Sequence, residues 1–104
     1  MAEIAAEPAG KPVSTCELPS DLGLAAAGPL TRELAGLRGR DVVVDGSAVR
    51  KVSTPCLQVL MSAALTWKLD GAELSLNAPS EALASGVALL GLSIDDFTAA
   101  GDAR

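Results

Sequence analysis

The sequence contains no histidine, and this absence excludes several kinds of chemistry. Without an imidazole there is no Ser-His or Cys-His nucleophile pair, no histidine metal ligand and no phosphotransfer through histidine. Ser53 and Cys56 remain as candidate nucleophiles, but neither lies in a G-x-S-x-G turn. A lysine in an ordinary environment, such as Lys51, is protonated at neutral pH and makes a poor base. We therefore expect a protein that is not an enzyme and that uses no cofactor or metal ion.

Aromatic residues and positive charge are also scarce. The chain has one Phe, one Trp and no Tyr, and its net charge is −5. Base stacking needs aromatic surface, and phosphate backbones repel an acidic domain, so nucleic-acid binding is disfavoured. The sequence has no apolar run of the roughly 18–20 residues that a membrane span needs, and its first residues, MAEIAAEPAGKP, do not resemble a signal peptide. These features predict a cytoplasmic protein without membrane insertion.

Cysteine is almost as rare, with only Cys16 and Cys56. Two isolated thiols form neither a Cys-x-x-Cys pair nor a disulfide framework. Free cysteine behaves as a small apolar residue, so both are expected to be reduced and buried. The adjacent acids Asp95 and Asp96 are interpreted as a solvated turn rather than a metal site, because neighbouring side chains point apart.

What the sequence does contain is an alternation of strand and helix patterns. Residues 41–46, DVVVDG, give the clearest strand, and their three consecutive valines suggest cover on both faces. Such alternation predicts an α/β fold with a largely parallel sheet. Residues 13–98 form the expected domain, with residues 1–12 and 99–104 as tails. The predicted strands are 13–18, 41–46, 72–77 and 92–97, and the predicted helices run from about 26–28 to 39, from 55 to 69 and from Ser80 to about Gly91.

Ser53 and Thr54 stand directly before Pro55, at the predicted start of the second helix. Pro suits the first helical position, and a hydroxyl before it is a favoured N-cap that accepts a hydrogen bond from a free backbone amide. The same free amides and the positive end of the helix dipole also favour an added phosphate. Arg50 and Lys51, just upstream, are either partners for such a phosphate or ordinary solvated cations. The pattern is compatible with capping alone and with a switch site.

The helix predicted for residues 55–69 is apolar around most of its circumference. Gln58, Ser62 and Thr66 form its main polar stripe, at i, i+4 and i+8. A helix of this kind is either buried within its domain or docked on a partner. Trp67, near its end, is correspondingly either a core residue or an interface anchor. The sequence leaves both interpretations open.

In their order, the segments VVVDGSAVRKVSTPCLQVL and DGAELSLNAPSEALASGVALLGL resemble the STAS domain of anti-sigma-factor antagonists. The resemblance covers roughly residues 13–98. In that family a strand ending in Asp, matched by Asp45, leads through a short loop to an Asp-Ser-Ser-Gly-Leu-like motif that opens a helix. Residues 52–56, VSTPC, occupy the motif, with Val52 in place of the family's Asp and Pro55 in place of its Gly. The later turn and the closing signature of the family are matched by Asn77, Pro79 and Ser80 and by Leu90-Gly91-Leu92.

The resemblance implies a STAS fold, a mostly parallel mixed sheet of four to five strands flanked by three to four helices. It also implies a non-enzymatic switch that docks onto an ATPase-type or kinase partner, such as a chemotaxis histidine kinase or an anti-sigma kinase. The CLQVL and TW segments look most like small stand-alone STAS proteins encoded with bacterial chemotaxis genes. Ser53 matches the serine that some family members phosphorylate, with Thr54 as the second choice. The candidate partner-binding residues are Arg50, Lys51, Val52, Ser53, Thr54, Leu57, Gln58 and Met61.

Two other functions fit parts of the pattern. Within the same family, a STAS subunit of a lipid-transport ATPase would dock by the same helix start. From another class, Asp45 after three valines resembles the phosphoacceptor of a receiver-like domain. Receivers also need two further acids after their first strand and a lysine after their last, whereas only Asp21 is present here and no lysine follows Leu92. A degenerate receiver is therefore disfavoured.

Overall fold

A computed structural model describes residues 13–99. The predicted tail 1–12 lies outside the described residues, as do residues 100–104 of the predicted tail 99–104. Strands and helices alternate along the chain, as the sequence predicts. The strands are β1 (Val13–Glu17), β2 (Asp21–Leu22), β3 (Asp41–Asp45), β4 (Lys51–Val52) and β5 (Leu74–Asn77). The helices are α1 (Ala27–Ala35), α2 (Thr54–Asp70) and α3 (Glu81–Leu89), with short 3₁₀ helices at Leu24–Ala26 and Ile94–Phe97.

The main sheet has three parallel strands in the order β1-β3-β5. Its central strand, β3, alternates in burial, so that Val42 and Val44 are buried and Val43 is half-buried. Cys16 of β1 and Leu76 of β5 flank Val44 in register and are buried with it. The sheet therefore has one packed face and one partly open face, whereas the three valines had suggested a strand covered equally on both.

A second, two-stranded parallel ladder lies beside the main sheet. In it β2 pairs with β4, which places Leu22 opposite Val52. The sequence predicts a loop over residues 46–54, because a two-residue strand is too short to show alternation. The ladder fixes the segment that leads into α2, and it therefore determines where the start of α2 lies.

The predicted strand at 92–97 is wrong, because this segment forms a 3₁₀ helix instead. Ser93 and Asp96 form a capping box, in which the Ser93 amide donates to Asp96 Oδ2 at 2.9 Å. Acids in a first turn favour helical structure over a strand. Phe97 is buried, and Ala99 then forms an antiparallel bridge with Leu74, one residue beyond the predicted end of the domain.

Helix α1 ends earlier than predicted. It begins at Ala27, with Pro29 in its first turn, and stops at Ala35 rather than near Gly39. Gly39 has φ of +89°, a left-handed conformation that ends any helical continuation. Helix α2 ends at Asp70 with Gly71 in the left-handed conformation, as the sequence predicted.

Helix α2 packs against α1 and buries one face in the core. Trp67 is 1% exposed, and its Nε1 donates to the carbonyl of Arg40 at 2.7 Å. The indole is therefore a core residue and not an interface anchor. No helix within residues 13–99 has both the length and the apolar character needed to cross a membrane. The buried face of α2 consists of Cys56, Leu57, Leu60, Ala63, Ala64 and Trp67.

Candidate site at the start of helix α2

The start of α2 is joined by hydrogen bonds to the end of β2. We call this set of hydrogen bonds the helix-start seam; it links Leu22 and Gly23 to Ser53 and Cys56. The Ser53 amide and the Ser53 hydroxyl both donate to the Leu22 carbonyl, each at 2.8 Å. The Cys56 thiol donates to the Gly23 carbonyl at 3.4 Å. The seam thus holds the first turn of α2 against the small ladder.

Ser53 is the N-cap residue by backbone geometry, but its side chain does not cap the helix. A capping hydroxyl accepts from a backbone amide, whereas this one donates to Leu22. The expected capping role of the hydroxyl is therefore wrong, because a carbonyl from a distant segment competes for it. With no acidic residue in its first turn, α2 presents its amide end without side-chain compensation.

The candidate partner-binding residues divide by exposure into three groups. Val52 and Ser53 are half-buried. Leu57 is only 2% exposed, so it belongs to the core and is not part of the proposed contact surface. The exposed members, which we call the docking face, are Arg50, Lys51, Thr54, Gln58 and Met61.

Val52 packs against α3. A Cβ atom added at Gly86 would lie 2.6 Å from Val52 Cγ1 and 3.7 Å from Leu57 Cδ1, so α3 approaches as closely as a glycine permits. Position 52, where the resembling family has Asp, is thus a packing position in this protein. Val52 also pairs with Leu22 in the small ladder. The site consequently depends on three segments distant in sequence, and only the segment at the start of α2 has a local sequence signal.

Asp45 stands at the end of β3, as predicted, but its surroundings are those of a turn. Its Oδ1 accepts from the Ser47 amide at 2.9 Å, and hydrogen bonds from the Ser47 amide and side chain lower the pKa of the carboxyl below its usual value. Within residues 13–99, no group of three or more His, Cys, Asp or Glu side chains is arranged to hold a metal ion. The receiver-like arrangement of acids around Asp45 therefore does not occur among the described residues.

Both cysteines are free and fully buried, as the sequence predicted. Burial, with a smaller contribution from Glu33, raises the pKa of the Cys16 thiol to about 12. Cys56 lies in the first turn of α2 beside Ser53, but its sulfur faces Gly23 rather than solvent. Neither thiol is placed to act as a nucleophile on an external substrate.

A family model described as "Mlab, STAS domain" matches residues 8–97. The chain belongs to this STAS family. Comparison with curated proteins gave no match, and comparison with solved structures gave none either. STAS domains are in general non-enzymatic regulatory domains that bind partner proteins, and membership of the family supports a regulatory STAS-type protein here. The parallel α/β sheet of the structure is consistent with this assignment.

Proposed function

We propose that this protein is a cytoplasmic, non-enzymatic STAS switch that docks onto an ATPase-type or kinase partner through the docking face at the start of α2. The observation that supports this proposal most strongly is that this region is open to solvent. Arg50, Lys51 and Thr54 are all exposed around the start of the helix. Arg50 and Lys51 place two exposed cations beside a helix start that has no capping side chain, and they outnumber the one acid, Asp21, that lies opposite Lys51 in the small ladder. An acidic or phosphorylated surface of a partner complements these two cations.

Ser53 is the proposed switch residue, because modification there would act directly on the helix-start seam. A phosphate ester has no hydroxyl proton to donate to Leu22, so the bond from Ser53 Oγ would be lost. The phosphate would also bring about −1.5 to −2 charges next to a carbonyl oxygen. We expect the seam to open and the first turn of α2 to shift, while Arg50 and Lys51 provide nearby cations. Thr54 is the more exposed hydroxyl and is the second candidate.

Capture of partners on the immobilised full chain tests the docking proposal. Wild type should retain a protein with an ATPase or kinase domain from extracts of the source cell, and Lys51→Glu should weaken that retention about tenfold or more. Leu89→Ser, an exposed position on α3, is the matched control and should retain the partner fully. Retention of partners without a nucleotide-binding domain would contradict the proposal. Equal retention by Lys51→Glu would contradict it too.

Mass spectrometry of the chain after incubation with the captured partner and ATP tests the switch. A phosphate on Ser53 or Thr54 is the expected result, and the variant Ser53→Ala separates the two sites. Phosphorylation at a distant serine such as Ser80 would contradict a switch at the seam. An unmodified chain would end the phosphorylation proposal and leave docking to be judged by the capture experiment.

A second candidate, a STAS subunit of a lipid-transport ATPase, is favoured by the packing of Val52. The resembling family places an acid beside its phospho-acceptor, whereas Val52 here packs against α3 at Gly86. A subunit that stays docked needs the docking face but not the acid. Partner identity decides between these two functions: a transporter ATPase in stable complex with unmodified Ser53 supports the subunit, and a signalling kinase supports the switch.

A further inference from the structure

The second half of α2 carries an exposed apolar stripe that the docking face does not use, apart from Met61 at its edge. Met61, Leu65 and Leu69 follow one another at i, i+4 and i+8 and are 36%, 59% and 79% exposed. The opposite side of the same helix is buried in the core. Isolated exposed leucines are ordinary, but aligned ones form a continuous apolar surface of the kind that partners cover.

This stripe borders a groove between α2 and the 3₁₀ helix Ile94–Phe97, which we call the acidic groove. Its volume is about 430 Å³. The α2 wall is mostly apolar, and the wall opposite is polar and acidic, with two adjacent carboxylates. The α2 wall is formed by Met61, Ser62, Ala64, Leu65 and Lys68, and the opposite wall by Asp95, Asp96 and Thr98.

The two carboxylates of the groove are held differently. Asp96 Oδ2 accepts from the Ser93 amide and hydroxyl, at 2.9 and 3.4 Å, which fixes it as part of the capping box. Among the described residues, the Asp95 carboxylate takes part in no hydrogen bond or ion pair, and its side chain is exposed. Lys68 is the single cation in the lining. The two carboxylates therefore outnumber the one cation, and the apolar surface of the α2 wall is supplied by Met61, Ala64 and Leu65.

We propose that the acidic groove binds a short segment of a partner protein that carries a leucine-like anchor flanked by arginine or lysine. The anchor packs on Met61 and Leu65, and the basic side chain pairs with Asp95. A second copy of this chain fits less well, because its net charge is also −5. Nucleic acids and anionic membranes are repelled for the same reason. Leu65 lies 11 residues after Thr54, about 16 Å along the helix, so this contact is separate from the helix start.

A random 12-residue peptide library displayed on phage is the probe that tests the groove. Selection on the immobilised full chain should enrich peptides that combine a large apolar residue with Arg or Lys within about one helical turn. Leu65→Ser and Asp95→Lys should each weaken a selected synthetic peptide about tenfold or more, and added salt should weaken it further. Leu89→Ser, which removes an exposed leucine from α3, is the control and should leave affinity unchanged.

Four results would overturn the groove proposal. The selected peptides could lack basic residues, their binding could be unaltered by Leu65→Ser and Asp95→Lys, or no peptide could be enriched over an empty support. The fourth is a wild-type chain that runs as a dimer and becomes monomeric on Leu65→Ser, because a second copy of the chain would then be the occupant. Lys51→Glu separates this proposal from the docking face: it should leave peptide affinity unchanged, even where it abolishes capture of the ATPase or kinase partner.

Discussion

Ser53 and Ser80 occupy equivalent positions, each the last extended residue before a helix, yet their hydroxyls act in opposite directions. Ser80 Oγ accepts from the Leu83 amide at 3.1 Å and caps α3. Ser53 Oγ donates to Leu22 at 2.8 Å and leaves α2 uncapped. The start of α3 is also compensated by Glu81 in its first turn, whereas α2 has no acid there.

The opposite roles of the two hydroxyls show that a residue type favoured at the N-cap does not by itself specify a cap. Both serines satisfy the same local preference, and the backbone amide of each donates to a carbonyl of a distant segment, Leu22 for Ser53 and Gly46 for Ser80. Only Ser53 also donates its hydroxyl to that distant carbonyl. The Ser80 hydroxyl therefore acts within its own helix, whereas the Ser53 hydroxyl holds a tertiary contact. Loss of the Ser53 side chain breaks a hydrogen bond to another segment, and loss of the Ser80 side chain breaks a cap.

Replacing each serine by aspartate should give the largest divergence between the two positions. Aspartate is a good N-cap, so Ser80→Asp should change the free energy of unfolding by less than about 0.5 kcal/mol. Ser53→Asp should destabilise by about 1–3 kcal/mol, because a carboxylate cannot donate to the Leu22 carbonyl and is placed against it. Urea unfolding measures both. Equal losses at the two positions would show that Ser53 has no special dependence on Leu22.

Removal of each hydroxyl should give similar losses of stability, but hydrogen exchange should change at different backbone amides. Ser80→Ala should cost about 1 kcal/mol and speed hydrogen exchange of the Leu83 amide. Ser53→Ala should cost about 0.5–1 kcal/mol, since the Ser53 amide still donates to Leu22. Exchange of the Cys56 amide, in the first turn of α2, should stay as in wild type. Faster exchange there would mean that the Ser53 hydroxyl caps α2 after all.

The Cys56 thiol should report opening of the helix-start seam. It is fully buried and donates to Gly23, next to the carbonyl that Ser53 uses. Iodoacetamide should therefore modify it several-fold faster in Ser53→Asp than in wild type or in Ser80→Asp. Cys16 serves as the internal control, because it lies in β1 and burial raises its pKa to about 12. Parallel acceleration of both thiols would indicate global unfolding and not a local seam.

The sequence predicted the elements whose signals are local. Helix α2 was placed within one residue at each end because Pro55 and Gly71 mark its boundaries, and the Ser80 cap was correct because both of its atoms lie within one turn. The last strand was predicted wrongly, since the hydrophobic pattern of residues 92–97 hid the helix-favouring Ser93 and Asp96.

The site could be predicted only in part, because its contacts are long-range. Ser53 and its acceptor Leu22 are 31 residues apart, and the two-residue strands that bring them together show no periodicity. The approach of Gly86 to Val52 likewise depends on packing between separate elements. Sequence therefore located the loop and the helix start correctly, whereas the direction of the Ser53 hydrogen bond and the burial of Leu57 required coordinates.

The smallest expected effect is at the C-terminal end of α2, where Asp70 forms an ion pair with Arg38, a residue outside the helix. Arg38 donates from Nε and Nη2 to the two oxygens of Asp70, at 3.1 and 3.0 Å. These hydrogen bonds hold the pKa of Asp70 below its usual value of 3.8, so the pair stabilises the fold above that value and is lost as pH falls through the lower folded-state pKa. Asp70→Asn should thus lower stability slightly at pH 6 and flatten its decline below pH ~4, as measured by urea midpoints. An unchanged pH profile would mean that the pair contributes nothing. In that case the last turn of α2 would keep Lys68 alone as electrostatic compensation, and the two ends of the helix would differ less.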